Sequence, residues 1–328
     1  MEQIISFLET AKLARKQVHR NLTVFPSLAP NGIVPDYLTL DQALNRNIIR
    51  ITELDNEGSV PELKLNNLGI KSVLIIEGEE LVGAKQNRIV NTSFLIAGKT
   101  EVIIPVSCVE QRRWSYRSER FESGKKMMHA SLRREHQEEV RFSLKHGDGY
   151  RSNQGRIWND IAEKSARMRV DAPTGAMADV FESYDDKLSK FLDKFHLIEW
   201  QIGAIFAING QVLGIECFGC HDTFKRFFDK LVKSYALDAL DSLKKQQSKS
   251  APPDNARRFI ASATKSKGEG HPSIGIGENI TFESHIVSGS ALVEGNRVLH
   301  ISAFKKEKSG NSSGVGFQRY SHRRNRRF

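Results

Sequence analysis

Three short windows of the sequence are rich in polar side chains although apolar segments surround them. The first, residues 77–88, contains Glu77, Glu79, Glu80, Lys85, Gln86, Asn87 and Arg88. The second, residues 110–114, contains Glu110, Gln111, Arg112, Arg113 and Trp114 directly after an apolar run. The third, residues 150–154, contains Tyr150, Arg151, Ser152 and Gln154 at a glycine-rich approach to a predicted helix. Residues of these types can bind an anionic, ring-containing ligand and can transfer protons.

The binding chemistry of the windows suits a ligand with phosphates, hydroxyls and an aromatic base. Arginine binds phosphate in a planar bidentate geometry, and a helix N-terminus favours an anion. A tryptophan ring offers a face for a base. The predicted ligand-binding residues are Gln86, Asn87, Arg88, Gln111, Arg113, Trp114, Arg151, Ser152 and Gln154. We predict that Arg88, Arg151 and Trp114 share one pocket; the alternative is that the windows are surface turns and a salt-bridged hairpin.

Glu79 and Glu110 are the predicted catalytic residues. Cleavage at a ribose anomeric carbon uses two carboxyl groups, one as general acid and one that steers water or stabilises positive charge. Apolar neighbours can raise the pKa of one carboxyl group, and a nearby arginine can keep the other ionised. The alternative is a sensor in which both carboxylates only bond ribose hydroxyls.

Two motifs that suggest other chemistry lack the required context. Gly98-Lys99-Thr100 resembles the end of a phosphate-binding loop, but Ser93 replaces the first glycine and a strand pattern follows. The run from Cys217 to His221 spells the haem-attachment pattern, yet attachment requires export and zinc would need two further ligands. We therefore predict no metal and no cofactor, and we interpret these thiols as buried.

The net charge of +10 is concentrated at the C-terminal end of the sequence. Residues 301–328 contain eight basic residues and one acidic residue, which leaves only +3 for residues 1–300. Such a segment can bind nucleic acid through counterion release, or it can be a disordered solubility tail. Three cysteines form no even disulfide framework, which favours a cytoplasmic protein, and no apolar stretch is long enough to span a membrane.

The order of the predicted elements indicates an α+β fold. We predict a mixed, mostly antiparallel sheet with a central helical segment in a single compact domain. The predicted divisions are a helix over 1–19, the domain over 20–305 with a polar linker at 244–255, and a basic disordered tail over 306–328. Asn209-Gly210 predicts a two-residue hairpin turn. Residues 123–141 are charged with little apolar periodicity, which predicts a solvated helix.

Several long segments resemble one protein family. The segments GEELVGAKQNRIVNTS, PVSCVEQRRW, YRSNQGRIW, APTGAMADVFE and KLVKSYALDAL are similar to the ARG and rhodanese-phosphatase-superfamily-associated protein domain, of the first type. The resemblance covers about residues 20–305 and implies a role related to NAD and ADP-ribose.

Together with the polar windows, the resemblance leads to a hypothesis about function. The protein binds a nucleotide-type small molecule or an ADP-ribosylated macromolecule, and as an enzyme it would hydrolyse a glycosidic or phosphoester bond of that ligand. The alternative is a non-enzymatic module that binds nucleic acid or a partner through the basic tail.

Overall fold

The computed structural model describes residues 1–29, 33–55, 58–243 and 249–307. The helices are α1 (Glu2–Thr10), α2 (Leu40–Asn45), α3 (Ala130–Lys145), α4 (Gln154–Met168), α5 (Met177–Ser183), α6 (Asp185–Leu192), α7 (His221–Ser242) and α8 (Pro253–Thr264). The strands of the first half are β1 (Lys12–Leu13), β2 (Gln17–His19), β3 (Leu22–Leu28), β4 (Leu38–Thr39), β5 (Ile49–Thr52), β6 (Glu62–Asn67), β7 (Val73–Ile75), β8 (Glu79–Gly83), β9 (Arg88–Val90), β10 (Phe94–Ile96), β11 (Thr100–Cys108) and β12 (Phe121–Met127). The later strands are β13 (Gln201–Ile208), β14 (Gln211–Phe218), β15 (Lys267–Pro272), β16 (Glu278–Glu283), β17 (Val287–Glu294) and β18 (Arg297–Lys305).

The largest sheet joins strands from both ends of the chain. Its order is β1-β3-β13-β14-β18-β17-β16-β15, and β2 also pairs with β3. All of these pairs are antiparallel. Asn209 and Gly210 have positive φ angles of 51° and 78°, as a type I′ turn between β13 and β14 requires. The predicted hairpin is therefore confirmed.

Two smaller sheets are formed by strands of the first half. The order β12-β8-β9-β11-β6-β5 is antiparallel throughout, whereas in β10-β7-β4 the pair β4 and β7 is parallel. Although β10 and β11 follow each other along the chain, they lie in different sheets. The predicted class, α+β with a mixed and mostly antiparallel sheet in a compact fold, is confirmed.

Helices cover both faces of the largest sheet. On one face, α7 packs on β13 and β14 and buries a stripe that contains Phe224, Phe227 and Leu231. On the other face, α1 and α8 pack together over β14, β17 and β18. The sheet is apolar on both sides because each side belongs to a separate hydrophobic core.

The predicted helix over residues 1–19 is wrong in its extent. Helix α1 ends at Thr10, and Ala11 is extended with φ −73° and ψ 124°. The segment from Lys12 to His19 instead forms β1 and β2, because both can pair with β3 and satisfy its backbone groups.

We expect that Ile4→Val lowers the free energy of unfolding by about 1 kcal/mol, the usual cost of removing one buried methyl group. Ile4 is fully buried in the core that α1 shares with α8. Ile5 on the same helix is only half-buried, so Ile5→Val is the matched control and should cost less. Urea denaturation of the full chain measures both. Equal effects of the two substitutions would show that α1 does not dock as described.

The predicted solvated helix over 123–141 is also wrong. Residues 121–127 form β12, and α3 begins at Ala130. On α3 the polar residues Arg133, His136 and Gln137 are buried. They tolerate burial because each of them forms a hydrogen bond with another polar side chain. These partners come from distant segments of the chain.

The predicted linker and tail are only partly within the described residues. Helix α7 ends at Ser242, and α8 begins at Pro253 after a fully buried Ala251. The predicted linker is therefore shorter at its C-terminal end, while residues 244–248 lie outside the described part of the chain. Residues 308–328 of the predicted tail lie outside it as well. Among the described helices, none is both long and apolar enough to cross a membrane.

Candidate active site

A cavity of about 280 Å³ lies between β12, the segment after β11 and helix α5. Carboxyl groups dominate its wall, with two cations and a threonine among them. The polar lining residues are Asn87, Glu110, Arg117, Glu122, Ser123, Lys126, Thr174, Asp179 and Glu182. A wall of this composition favours a ligand group that is neutral or that develops positive charge.

A short backbone pairing assembles one side of this cavity. The Arg112 N–H donates to the Thr174 carbonyl at 2.9 Å, and the Met177 N–H donates to the Val109 carbonyl at 2.9 Å. Between them, Glu110 and Ala176 form an antiparallel bridge. This pairing fixes the start of α5, with its acidic residues, beside Glu110.

Glu110 is a buried carboxylate that is held by three donors. Its Oε2 atom lies 2.7 Å from Nη2 of Arg113 and accepts the Asn87 N–H at 3.1 Å. Its Oε1 atom accepts the Thr174 hydroxyl at 3.0 Å. Burial alone would raise the pKa of Glu110, but the bonds from Arg113 and Asn87 outweigh it and hold the pKa below its ordinary value. Glu110 is therefore ionised at neutral pH.

Glu80 is also a buried carboxyl group, but its pKa is raised where that of Glu110 is lowered. It lies on β8 opposite a β-bulge of β12, where the register shifts between Ser123 and Met127. Among the described residues, neither of its carboxyl oxygens makes a well-formed hydrogen bond, although the Asn87 side chain is close enough to oppose the rise of its pKa. Burial raises the pKa of Glu80 to about 7, and Glu182 and Glu110 act in the same direction against the opposing effect of Lys126. Glu80 can therefore donate or accept a proton near neutral pH.

Gly124 lies between Glu80 and the cavity, and Glu80 itself is buried and does not line it. A Cβ atom at position 124 would lie 2.4 Å from Glu80 Oε2, so a side chain there would displace this carboxyl group. Gly124 itself lines the cavity. Bulges and glycines at such positions commonly re-aim or uncover a functional side chain.

Asp179 on α5 is a third carboxyl group of interest in the cavity wall. Its Oδ2 atom is buried and makes no hydrogen bond within the described part of the chain. Burial raises the pKa of Asp179, and the negative charges of Glu182 and Glu110 raise it further. Asp179 is therefore a better proton acceptor than an ordinary aspartate.

Glu79 and Glu110, the two predicted catalytic residues, lie in different surroundings, because Glu79 contacts helix α7 on one face of β8 and successive side chains of a strand point to opposite faces. Glu79 contacts Lys230 of α7 at 2.8 Å, and Asp41 of α2 lies 2.8 Å from the same Nζ atom. Glu79 does not line the cavity that Glu110 lines. Burial raises the pKa of Glu79, although Lys230 opposes this shift. The neighbouring residue Glu80 does not line the cavity either, but it lies directly behind Gly124, which does.

Arg88, Arg151 and Trp114 do not share one pocket. Arg88 is fully buried, where its Nη1 donates to the Gln86 carbonyl at 3.1 Å. Arg151 lines an open cavity of about 700 Å³ that neither Arg88 nor Trp114 lines. Trp114 is half exposed on a loop beside Glu110. The prediction is wrong because polarity in sequence does not distinguish an arginine that fills a core from one that faces solvent.

The other predicted ligand-binding residues fall into two groups. Gln86, Asn87 and Arg113 lie at or behind the cavity wall: the Gln86 amide donates to the Glu110 carbonyl at 2.8 Å, and Asn87 Oδ1 accepts from Arg113 at 3.2 Å. Gln111 follows Glu110 and is exposed. Whether these residues contact a ligand stays a prediction.

Ser152 and Gln154 belong to a different location, at the beginning of α4. The Gln154 amide bonds both backbone groups of Cys108 at 2.7 Å, and the Ser152 hydroxyl lies 2.6 Å from that of Ser107. These contacts dock α4 on the end of β11. Their polarity is therefore explained by the packing of that helix.

The Cys217–His221 run forms the junction of β14 and α7. Cys217 and Cys220 are buried, and burial raises the pKa of the Cys217 thiol well above its ordinary value. The His221 ring bonds the Gln201 carbonyl at 2.8 Å. Within the described residues, no group of three or more acidic, cysteine or histidine side chains could hold a metal ion.

Sequence reasoning missed Glu80, Gly124, Thr174 and Asp179. Glu80 was within a recognised window, but strand alternation alone leaves open which of two adjacent glutamates faces the site. Thr174 and Asp179 come from a segment more than sixty residues beyond Glu110, and only the pairing of residues 109–112 with 174–177 brings them near.

The fold and the site define an α+β protein in which an ionised carboxyl group lines an acidic cavity and a protonatable one is buried behind its wall. The model of the ARG and Rhodanese-Phosphatase-superfamily-associated Protein domain matches residues 10–304. The chain belongs to this family, which confirms the resemblance of its motifs. No curated protein and no solved structure matches the chain.

Proposed function

We propose that the protein hydrolyses a glycosidic bond at the ribose of an ADP-ribosyl or NAD-derived substrate. The observation that supports this most is the pair Glu80 and Glu110, which are close enough for the charge of Glu110 to raise the pKa of Glu80. One is held ionised and the other is protonatable near neutral pH. Two carboxyl groups in different protonation states are what acid-assisted glycoside cleavage requires.

Each carboxyl group of the site takes a distinct role in the proposed reaction. Glu80 gives its proton to the leaving atom while the bond from that atom to the anomeric carbon breaks; because its oxygens are buried behind Gly124, this transfer requires Gly124 to shift. Glu110, whose oxygens are occupied by donors, stays ionised and stabilises the positive charge that develops on the ribose. A water oxygen then bonds the anomeric carbon, and its proton passes to Asp179. Solvent returns a proton to Glu80 and removes one from Asp179.

The family membership supports the choice of substrate. The family's name associates it with ARG and rhodanese-phosphatase proteins, which suggests a link to ADP-ribosylation. The acidic wall supports the choice of bond, since carboxylates would repel a phosphate but stabilise a cationic ribosyl centre. Phosphoester hydrolysis is therefore the less favoured of the two reactions.

We expect Glu80→Gln to lower turnover by a factor of about 100 or more, the usual contribution of a positioned general acid. The assay incubates NAD, ADP-ribose, ADP-ribosylated protein and ADP-ribosylated nucleic acid with the full chain and identifies products by mass spectrometry. Glu79→Gln is the matched control, because Glu79 is adjacent and buried but faces Lys230. It should retain turnover within a few-fold once its folding is verified by circular dichroism.

Two outcomes would contradict the proposal. Formation of no product from any of the four substrates by the wild-type chain would leave a binding protein. Equal turnover by Glu80→Gln and wild type would show that Glu80 is not the acid. Binding of nucleic acid through the basic tail, the alternative function, depends on residues outside the described chain and stays a prediction.

A further inference from the structure

A loop at the mouth of the acidic cavity is unusually rich in exposed arginine and aromatic side chains. We call residues 112–120 the arginine–aromatic loop. Trp114 and Tyr116 are 50% and 51% exposed, although large rings are usually covered in folded proteins. Arg112, Arg117 and Arg120 are exposed on the same loop, with Glu119 as its one acidic residue. Arginine and aromatic residues together are typical of surfaces that bind nucleotides.

The arginine–aromatic loop is held firmly from below. The buried guanidinium of Arg113 donates to the carbonyls of Ala84 and Ser115 at 2.7 and 2.8 Å and contacts Glu110 at 2.7 Å. The Arg117 N–H also donates to the Ala84 carbonyl at 3.0 Å. A surface fixed in this way loses little conformational entropy when it binds a ligand.

The ammonium group of Lys85 contacts both aromatic rings of the loop. The Nζ atom of Lys85 lies 5.2 Å from the ring centroid of Trp114 and 5.2 Å from that of Tyr116. Such cation–π contacts favour particular ring orientations. The two rings are therefore placed together beside the same basic group, although about half of each residue's surface is in solvent.

The charges of the loop and of the cavity are opposite. Arg117 belongs to the loop and also lines the cavity, so the two surfaces are continuous. The carboxyl groups of the cavity repel phosphate, whereas the exposed arginines attract it. One substrate can bind both surfaces at once if its anionic half contacts the arginines of the loop and its reacting half, which develops positive charge, contacts the carboxyl groups of the cavity.

We propose that the arginine–aromatic loop binds the nucleoside diphosphate half of the substrate. The base stacks on Trp114 with Tyr116 beside it, and Arg117 with Arg112 or Arg120 binds the phosphates. The orientation of the substrate in this inference rests on the proposed function, because the proposed reaction places the ribosyl end of the substrate in the cavity. The affinity of the loop for a nucleoside diphosphate does not depend on any catalytic step.

The test measures binding of ADP to the full chain by isothermal titration calorimetry. Trp114→Ala and Arg117→Gln should each raise the dissociation constant by about tenfold, the usual effect of losing one stacked base or one charge-assisted pair. Trp200→Ala and Arg258→Gln are matched controls: Trp200 is also partly exposed, and Arg258 lies on α8 across the largest sheet. Both controls should bind ADP like wild type.

Glu80→Gln separates this inference from the proposed function, since it should lower turnover by about 100-fold or more but leave the affinity for ADP unchanged. Suppose that the loop variants lose ADP affinity but that no substrate is turned over. This result would support the assignment of the loop as the ADP-binding surface and would refute the proposed hydrolysis. Suppose instead that turnover depends on Glu80 but that Trp114→Ala and Arg117→Gln bind ADP like wild type. This result would refute ADP binding by the loop and leave the proposed hydrolysis standing. No binding of ADP by wild type, or tight binding of oligoadenylate that ADP does not displace, would also overturn the loop assignment.

Discussion

Replacement of Arg133 by methionine is expected to lower the free energy of unfolding by about 3–5 kcal/mol, because it leaves buried carboxylates without their partner. The Arg133 guanidinium lies 2.6 Å from Glu216 Oε1 and 3.4 Å from Glu77 Oε1. It also donates to the Ser302 hydroxyl at 3.2 Å. All four residues are buried. Methionine keeps much of the side-chain volume, so the expected loss is mainly electrostatic.

The pKa of Glu216 indicates how strongly Arg133 acts. Burial alone would raise the pKa of this carboxyl group, yet Arg133 and His300 together outweigh burial and the pKa is lowered. The Tyr235 hydroxyl also donates to Glu216, at 3.0 Å. Without Arg133, Glu216 must remain charged in the core or take up a proton, and either change destabilises the folded state.

Urea denaturation at neutral pH measures the effect of Arg133→Met, with Arg134→Met as the control. Arg134 is the next residue of α3 and pairs with Glu135 and Glu307 near the surface, so its loss should cost about 1 kcal/mol or less. The double variant Arg133→Met, Glu216→Gln should lose less than Arg133→Met alone, because it removes both charges of the pair. A loss below about 1 kcal/mol for Arg133→Met would contradict the role given to this network.

The second large effect is expected for Glu80, as a change of stability with pH. Its pKa is raised from an ordinary 4.5 to about 7 in the folded chain. A raised carboxyl pKa stabilises the folded state below the unfolded pKa, and this contribution is lost as the pH rises through the folded pKa. The shift corresponds to about 3 kcal/mol, lost between about pH 4 and pH 8. Glu80→Gln should not show this loss.

Denaturation of wild type and Glu80→Gln across this pH range tests the expectation. The difference in unfolding free energy should change by about 3 kcal/mol in favour of the glutamine variant as the pH rises. Glu119→Gln, on the exposed loop, is the control and should follow the wild-type curve. A difference that stays constant with pH would show that Glu80 titrates alike in both states and would remove the support for its role as acid.

Elements that depend only on neighbouring residues, such as tight turns and amphipathic helices, could be predicted from the sequence. The turn at Asn209-Gly210 requires two positive φ angles, and these residue types accept them at low cost. The apolar stripe of α7 and the apolar residues of β16, β17 and β18 are local features of the same kind, because their spacing can be seen in the sequence itself. Which strands pair could not be predicted, since residues 97–99 connect β10 and β11 although the two strands lie in different sheets.

Burial of charge was the main feature that sequence reasoning could not predict. Arg133 and Arg88 resemble surface residues in sequence, but each is buried and has a carboxylate nearby from a distant segment. The site shows the same limit. Glu110 was found because an apolar strand ends beside it, whereas Glu80 required knowledge of the bulge in β12.

The position of β3 in the largest sheet has a consequence for synthesis on the ribosome. Phe25 of β3 pairs with Ile205 of β13, so 180 residues must be added before the partner strand exists. At about 5–20 residues per second, this takes roughly 10–35 seconds. Six of the seven residues of β3 are buried in the final fold, and they remain without that partner during this time. Until most of the chain has been translated, β3 is therefore an apolar segment whose only available partners among the described strands are the short β1 and β2.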